Sequence, residues 1–401
     1  MKKPLIYAAV LCGCFMSAPL LAASDYQPGF RIGNFKVDPV VSAGIAWESN
    51  IGNTSRNEES GFLWRVQAAA SLAPAVLEDR RTFLTANVFY NMERGFDSKD
   101  GADSDSYGIS AVFRRELAKQ WNLTINGGYT RSEDDNFWYG SNDAFGNPTT
   151  PDIYTDKSEN YNFNAAVGYR GPKWTFGFGA GWHRSRHLDG NKTSNDSYTA
   201  SVRAGHVLPA ISPSCYLTTS LSAIYDDPDR GDTSVSYTLL AGLSGDFSDK
   251  TSYSAMVGIS FYDYSGLVDD TSVNPAYNFS IARKISRRVS LALTASSRYE
   301  AEDSGQANLY YVWSHHLTAA LNLTIDDKTD ARLSASGIYE DHVGSQGHAD
   351  YDRTYVQLQA SLHRQFYRAL YGFVSVSWRR DDNNSVEKDD YRAEVGLSWR
   401  F

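Results

Sequence analysis

The sequence predicts an all-β protein, a transmembrane antiparallel up-and-down β-barrel of about 18 strands, and three observations lead to this prediction. Apolar and polar residues alternate with a period of two in segment after segment of the chain. The connections between these segments alternate between short and long. Aromatic residues gather at the ends of the apolar faces, where the surfaces of a membrane would lie.

The alternation is clearest at the end of the chain, in "YRAEVGLSWRF" from Tyr391 to Phe401. Every second residue there is apolar or small, and those between are polar or glycine. Such a strand has one apolar face, which suits either the core of a soluble protein or a barrel wall with lipid outside and water inside. This segment by itself leaves both environments open.

The same pattern recurs along the chain and gives about eighteen strands, an even number as in single-chain bacterial outer-membrane barrels. Rings stand at the ends of several apolar faces, for example Trp121 with Tyr129 and Trp174 with Trp182, as in interfacial girdles. In chain order the apolar faces cover residues 37–47, 64–72, 84–90, 107–113, 121–129, 161–169, 174–182, 198–204, 217–225, 235–243, 253–261, 277–281, 289–299, 309–323, 331–339, 356–362, 374–378 and 391–401.

The connections fall into two sets. One set is tight, with "LAKQ", "GPK", "SDK", "SRR" and "DDK" between strands, and such short segments are typical of hairpins. The other set is long, polar and acidic, as in "GFDSKDGADSD", "SRHLDGNKTSND" and "DDNNSVEKDD". Short periplasmic turns at one end and long extracellular loops at the other are typical of outer-membrane barrels, and a soluble sandwich gives no reason for this sorting.

The first residues predict export through a cleaved signal peptide. Lys2 and Lys3 precede an apolar run over residues 5–21, which ends on the small residues Ala22 and Ala23. We therefore expect three parts, with a signal peptide at 1–23, a short periplasmic N-terminal segment at 24–34 and the outer-membrane barrel at 35–401. A lipoprotein signal ending at Cys14 is the alternative.

Composition excludes several functional classes. Once Cys12 and Cys14 leave with the signal, only Cys215 remains, so the mature chain has no intramolecular disulfide. The net charge of −9 makes nucleic acid an unsuitable partner. No long apolar run follows the signal, which excludes a transmembrane helix but not a membrane barrel, whose strands alternate.

The face opposite the apolar one predicts a wet lumen, since it carries small polar residues in most strands. Arginine is its commonest charged residue. One interpretation is that these arginines pair with carboxylates and stiffen the wall; the other is a ladder for anionic solutes or sugar acids, because guanidinium binds carboxylate bidentately. The pore-lining candidates are Arg65, Arg114, Arg170, Arg203, Arg298, Arg332, Arg379 and Arg392, with the acids Glu93 and Glu340.

The longest connection, from Ser132 to Asn160, is the third on the long-loop side. Loops of this length are usually functional or disordered. It is similar in position and length to the third outer loop of general porins, which folds inward. Its Asp134 and Asp135 are therefore candidates for a constriction opposite wall arginines, and a surface loop lying outside the pore is the alternative.

The sequence does not predict an enzyme. The histidines are scattered, and no nucleophile elbow, zinc-protease motif or phosphate loop occurs. We expect no catalytic residue, no cofactor and no metal site. The acidic loops lack the spacing of a calcium-binding hand, and contact with lipopolysaccharide phosphates through divalent ions accounts for them.

The opening of the predicted barrel, "FKVDPVVSAGIAWESNIGNT", resembles the start of the family called putative β-barrel porin 2. The shared features are an extended strand containing proline, an aromatic residue at Trp47 and an asparagine at Asn50 just before the first loop. The chain departs from the family's commoner residues at Glu48 and Ser49. Because members of this family often accompany exopolysaccharide production, the resemblance implies a channel for sugar polymers.

Two main functions follow, both in the cell outer membrane. The first is a porin for diffusion of small polar solutes, such as sugars or anionic sugar acids; the second is the exit channel of an exopolysaccharide export system. A structural or adhesive surface barrel is a third hypothesis. The scarcity of residues in the short turns leaves little room for a docking partner and favours the porin. The expected partners are membrane lipid, lipopolysaccharide, sugar solutes or polysaccharide, and the barrel assembly machinery.

The last strand suggests how that machinery recognises the chain. Its sequence resembles the C-terminal β-signal of outer-membrane barrels, which combines a polar residue, a glycine and aromatic residues. The corresponding residues are Glu394, Gly396, Trp399 and Phe401. A last strand with no such role is the alternative, and both can hold together.

Overall fold

The computed structural model describes residues 29–50, 60–74, 81–96, 103–134, 157–188, 194–212, 214–229, 233–265, 270–300, 309–344, 351–383 and 386–401. These residues form strands and turns and include no helix, so none of them lies in a helix able to cross a membrane. The strands are β1 (Phe30–Ile32), β2 (Phe35–Glu48), β3 (Gly61–Pro74), β4 (Thr82–Gly95), β5 (Ser104–Ala118), β6 (Trp121–Asp134), β7 (Lys157–Arg170), β8 (Trp174–His187), β9 (Asn195–Val207), β10 (Cys215–Pro228), β11 (Thr233–Ser248), β12 (Thr251–Ser265), β13 (Asp270–Lys284), β14 (Val289–Glu300), β15 (Leu309–Asp326), β16 (Thr329–Gly344), β17 (Tyr351–Gln365), β18 (Leu370–Asn383) and β19 (Val386–Arg400).

Strands β2 to β19 form a closed antiparallel barrel. Each pairs with its neighbours in the chain, and the last strand pairs with the first of the ring from Arg392↔Glu48 to Arg400↔Val40. The predicted barrel of about 18 strands is therefore confirmed. Closure pairs both edges of the ring strands over most of their described length, which satisfies the backbone groups that lipid cannot hydrogen-bond.

The short strand β1 lies at the seam, within the segment 24–34 that the sequence placed before the barrel. It pairs with the start of β2, from Phe30↔Val37 to Ile32↔Phe35. Since β3 covers the other edge of β2 over its whole length, β1 must lie on the edge that faces β19. The β19 ladder ends at Val40, and the Phe401 N–H donates to the Pro39 carbonyl oxygen at 3.1 Å. β1 thus continues the edge beyond the end of the chain.

The two ends of the barrel differ in their connections. At the short-turn end, two-residue connections join β5 to β6, β11 to β12 and β15 to β16. At the long-loop end most connections are longer, and β6 and β7 are separated by residues 135–156, outside the described part. One predicted long loop differs, because β18 and β19 extend so far that only residues 384–385 connect them.

Large apolar side chains cover the outer face of the barrel. Ile45, Leu239 and Val395 are 48 %, 48 % and 58 % exposed, although a soluble protein would bury them. Aromatic rings form a row near each end of this face. Tyr107, Tyr129, Tyr161 and Trp182 lie side by side near the long-loop end, while Trp121, Tyr169, Phe176 and Trp174 do so near the short-turn end. The outer face is therefore suited to lipid between two aromatic girdles.

Candidate functional site: the lumen walls

The inner face of the barrel is polar. Among the described residues, the buried set contains more polar and charged side chains than apolar ones. Buried apolar side chains form only small clusters, such as Ala46 with Leu63. A soluble β-protein would have a continuous apolar core instead. The interior of this ring is consequently a candidate pathway, and its opposite sides differ in chemistry.

The first side is the charged wall, which we define as the lumen face of β16–β19 and β2–β4. Arg392 on β19 lies at its centre. The guanidinium donates to both carboxylate oxygens of Glu93, at 2.9 and 2.6 Å, and to Glu48 at 3.4 Å. Only 4 % of the Arg392 side chain is exposed. Because Glu93 lies on β4, this bidentate pair crosses the seam and two intervening strands.

A second ion pair also crosses the seam. Arg65 on β3 donates from Nη1 to Glu394 on β19 at 3.1 Å, above the intervening strand β2. That strand presents Gly44 and Ala46 at these levels, opposite Arg65 and Glu394 in register. A Cβ added at Gly44 would lie 3.3 Å from a Glu394 oxygen. Small residues on β2 therefore leave the space that the ion pair occupies.

Arg379 extends the network along β18 and β19. Its Nη2 donates to Asp390 at 3.3 Å, and Asp390 also accepts hydrogen bonds from the Ser49 hydroxyl at 3.1 Å and the Asn50 N–H at 3.3 Å. The Asp390 side chain is 1 % exposed. These bonds hold the chain just after β2 against the last strand, so the charged wall also secures the seam near the long-loop end.

A neighbouring group of charges completes the charged wall on β16–β18. Arg353 donates from Nε and Nη2 to the two oxygens of Asp381, at 2.9 and 2.8 Å. Glu340 lies 3.1 Å from His342 Nε2 and 3.9 Å from Arg353. Removing one partner of a buried ion pair typically lowers the free energy of unfolding by about 3–5 kcal/mol. The charged wall is thus a rigid, internally compensated surface.

The second side is the polar wall, which we define as the lumen face of β6–β9. Its side chains are mainly asparagine, serine and threonine, and they lie over cross-strand glycines. Asn122 faces Gly168 in register, and a Cβ added to that glycine would lie 2.7 Å from Asn122 Oδ1. The same arrangement joins Ser201 to Gly179, at 2.7 Å from the added Cβ.

Further pairs extend this pattern across the polar wall. Asn162 faces Gly128, Asn164 faces Gly181, and Thr175 faces Gly205. Each polar side chain occupies the space above the glycine opposite it rather than projecting into the lumen. The result is a thin wall with amide and hydroxyl groups at its surface. The wall is thinnest at β8, because its lumen-facing glycines alternate with lipid-facing rings such as Trp174 and Phe178.

The structure separates the predicted pore-lining residues into three groups. It brings Arg65, Arg379, Arg392, Glu93 and Glu340 together in the charged wall. Arg203 donates to the Ser244 hydroxyl at 3.3 Å, and Arg332 is half-buried. Arg114, Arg170 and Arg298 are exposed.

The other predicted sites lie at the ends of the barrel. Asp134 is the last residue of β6 and pairs with Ser104, while its side chain and all of Asp135 are outside the described part. The constriction stays a prediction for this reason. Trp399 and Phe401 lie on the outer face, 46 % and 50 % exposed, with ring centroids 6.1 Å apart. Their role in assembly also stays a prediction.

Several residues of the walls were not predicted as site residues. Asp390 lies in "DDNNSVEKDD", which the sequence assigned to a loop, and Arg353 precedes the predicted apolar face 356–362, whereas the strands extend through both residues. The glycine pairs of the polar wall depend on strand register. Repeated glycine at alternate positions in "WTFGFGAGW" was the signal that could have indicated a thin wall.

Comparisons of the sequence with known proteins do not assign it to a family. No protein-family model matches the chain, and no curated protein matches its sequence. The resemblance to the β-barrel porin 2 family is accordingly not confirmed.

Solved structures of similar shape include the siderophore receptor PirA from Pseudomonas aeruginosa, which is 11 % identical, with 90 % of this chain and 80 % of that one covered and a TM-score of 0.39. The FrpB iron transporter from Neisseria meningitidis, F5-1 variant, is 8 % identical, with 94 % and 82 % covered and a TM-score of 0.47. Likeness at this level concerns strand arrangement and does not transfer a ligand.

Proposed function

We propose that the protein is an outer-membrane channel through which small polar solutes, sugars above all, diffuse across the lumen. The observation that carries this proposal is the polar wall. Its amide and hydroxyl groups offer hydrogen bonds to a hydrated, uncharged solute, and its cross-strand glycines keep these groups close to the backbone. The apolar outer face with its two rows of rings supports placement in a membrane.

The charged wall supports neutral sugars over sugar acids. Arg65, Arg379 and Arg392 each donate to a carboxylate, so the attraction of these guanidinium groups for an anion is largely cancelled. Arginines that pair with wall carboxylates do not provide an open ladder of positive charge. We therefore expect ion selectivity to be weak and to depend on the exposed Arg114, Arg170 and Arg298, while sugars interact with the polar wall.

The lumen-facing aromatic rings also favour hydrogen bonding over stacking as the mode of sugar recognition. Tyr262 and Tyr355 are only 4 % and 2 % exposed. Phe373 packs over Gly396 and stacks on His363 at 6.0 Å. Rings buried in the wall do not offer a free face to a sugar, which leaves the asparagine, serine and threonine groups as the main contacts.

Single-channel recording tests this proposal. The refolded protein is inserted into a planar bilayer, and a neutral maltooligosaccharide is titrated as a blocker. We expect concentration-dependent block with little change in reversal potential under a salt gradient. In the variant with Asn126→Ala and Asn164→Ala, a directly facing pair, the half-blocking concentration should rise roughly fivefold, since each lost hydrogen bond contributes about 0.5–1.5 kcal/mol.

A matched variant on the other side of the barrel controls for general effects. Ser336→Ala removes a hydroxyl group from the lumen face of β16 and should leave the block unchanged. Equal weakening in both variants would contradict a role for the polar wall. A protein that conducts no ions under any condition, but whose deletion abolishes secreted polysaccharide, would favour the export channel instead.

A further inference from the structure

The ladder between β13 and β14 is the shortest in the ring. It contains seven residue pairs, from Lys284↔Ser290 to Asn278↔Ser296. On one side, β12 stays paired with β13 as far as Asp270, and on the other β15 stays paired with β14 as far as Glu300. Within the described residues, the two strands therefore separate toward the long-loop end. We call the space between Asp270–Tyr277 and Ser297–Glu300 the fork.

A proline explains why the ladder does not resume beyond Tyr277. The Tyr277 N–H points at β14, because it donates to the Ser297 hydroxyl at 3.1 Å instead of to a backbone carbonyl. Alternate residues of a strand direct their N–H groups to the same neighbour, so position 275 also faces β14. That position is Pro275, which has no N–H to donate. The next ladder bond toward the long-loop end consequently cannot form.

A tyrosine ring fills the fork. Alternation would place Tyr299 on the lipid-facing side, yet its ring centroid lies 4.9 Å from that of lumen-facing Tyr262 and 4.6 Å from that of Trp313. The Tyr299 hydroxyl accepts from the Asn274 amide at 2.9 Å and donates to the Ser272 hydroxyl at 3.1 Å. Tyr299 is only 4 % exposed. Side-chain bonds thus replace backbone bonds at this place in the wall.

The two mouths of the fork differ in polarity. The lipid-facing residues nearest Tyr299 are apolar, with Val273 57 % exposed and Pro275 exposed, while the polar Thr271 lies further toward the long-loop end. The lumen side carries the uncharged polar groups of Asn274 and Ser272. Arg298 pairs with Ser314, which in turn pairs with the lumen-facing Glu340, so Arg298 faces the lumen, where it is exposed. An apolar outer mouth, a polar wall and a cation at the inner mouth suit a molecule with one acyl chain and an anionic head.

We propose that the fork is a lateral binding site for an anionic single-chain amphiphile, with the acyl chain entering from the membrane and the head group at Arg298. Tyr299 closes the site when it is empty. Displacing this ring costs two neutral hydrogen bonds and its packing against Tyr262 and Trp313, whereas opening the other described ladders of the ring breaks at least nine backbone pairs. The proposal depends on placement in a membrane and not on diffusion of sugars through the lumen.

Fluorescence quenching tests the proposal. The full-length protein is refolded in phosphatidylcholine vesicles, and dibromostearate is titrated as the quenching probe. The emission of Trp313 is obtained by subtracting the signal of Trp313→Phe, since the chain has nine tryptophans. We expect dibromostearate to quench Trp313 saturably. Phosphatidylcholine brominated on its acyl chains should not quench Trp313, because this lipid has two chains and no net negative charge on its head group.

Variants connect this quenching to the fork. Tyr299→Phe keeps the ring and removes both hydroxyl bonds, so half-quenching should need roughly fivefold less dibromostearate. Arg298→Gln should need about tenfold more, because hydrogen bonds to charged groups are stronger. Tyr225→Phe serves as the matched control, since Tyr225 lies on β10 between two continuous ladders, and it should change nothing.

Other outcomes would overturn the proposal. Equal quenching by the fatty acid and by the brominated phospholipid would mean that Trp313 merely faces lipid. No response to Tyr299→Phe would identify the fork as a permanently closed irregularity. If Tyr299→Phe fails to fold, Ser272→Ala can replace it. This variant removes only the hydroxyl group that accepts the hydrogen bond from Tyr299, and it should also lower the half-quenching concentration, by a smaller factor. Each readout is independent of ion conduction, so a failed channel proposal does not affect it.

Discussion

The charged wall and the polar wall occupy different sides of one ring and solve the problem of a polar interior in different ways. On the charged wall, long side chains from strands as far apart as β4 and β19 meet and neutralise one another. On the polar wall, short side chains lie over glycines on the neighbouring strand. The difference indicates that the seam side provides cohesion, while the β6–β9 side is a thin polar surface, which we propose contacts solutes.

The largest expected effect comes from removing the central cation. Arg392→Met leaves Glu48, Glu93 and Glu394 without their shared partner, so the free energy of unfolding should fall by about 3–5 kcal/mol. Urea titration of the refolded protein in vesicles measures it. Arg380→Met is the matched control, because Arg380 faces outward at 37 % exposure and its ion pairs contribute about 0–1 kcal/mol. Equal losses would contradict a special role for the seam.

A smaller effect should follow when a whole ion pair is replaced. Arg65→Met alone leaves Glu394 with one fewer donor and should cost about 3 kcal/mol. The double variant with Glu394→Met leaves no uncompensated charge from this pair, so it should cost clearly less than the sum of the single variants. The same urea titration gives the coupling energy. Simple additivity would show that the two side chains do not interact across β2.

On the polar wall, the sharpest test is to add one methyl group. Gly181→Ala places a Cβ against the Asn164 and Thr199 side chains and should cost about 1–3 kcal/mol and lower the single-channel conductance. Gly337→Ala is its control, because the added Cβ meets only a carbonyl oxygen at 3.7 Å. The control should be neutral or slightly stabilising, since alanine restricts the unfolded chain. Because Gly337 faces outward on β16, opposite the exposed Leu317, identical behaviour of the two variants would contradict a filled space above Gly181.

Salt should give the smallest effect. Raising the ionic strength from about 0.1 to about 1 M shortens the Debye length from about 10 to about 3 Å, which screens exposed pairs far more than buried ones. The stability difference between wild type and Arg392→Met should therefore change little, and the difference for Arg380→Met should shrink toward zero. Urea titrations at the two salt concentrations provide the measurement. A strongly salt-dependent Arg392 contribution would place that residue in open water.

The strands were predictable because their signal is local. A period of two is visible within about ten residues, as at Val395 and Leu397 of the last strand, and it requires no knowledge of neighbours. The direction in which most wall side chains point followed from the same alternation. Tyr299 is the informative exception, since Pro275 on another strand opens the wall where its ring lies.

The partners within the walls were not predictable in the same way. Arg392 and Glu93 are 299 residues apart in the chain and meet only because the ring closes between β19 and β2. Asn164 lies over Gly181 because of one particular register between β7 and β8, and a shift by one residue would turn every side chain to the other face. Closure and register are properties of the assembled sheet, so single-strand patterns do not contain them.

The short strand β1 has a consequence for the order of the chain. It fills the edge of β2 beyond Phe401, so β19 and β1 lie end to end at the short-turn end. A peptide linker between residues 401 and 29 would then need to cross little distance, and new termini could be opened in a connection at the long-loop end. Such a circularly permuted chain would keep every ladder of the ring while placing the ion pairs of the charged wall between internal strands. Measuring whether the permuted chain still inserts into a membrane would distinguish two requirements of assembly. One is the stability of the closed ring, and the other is the position of β19 as the last strand of the sequence.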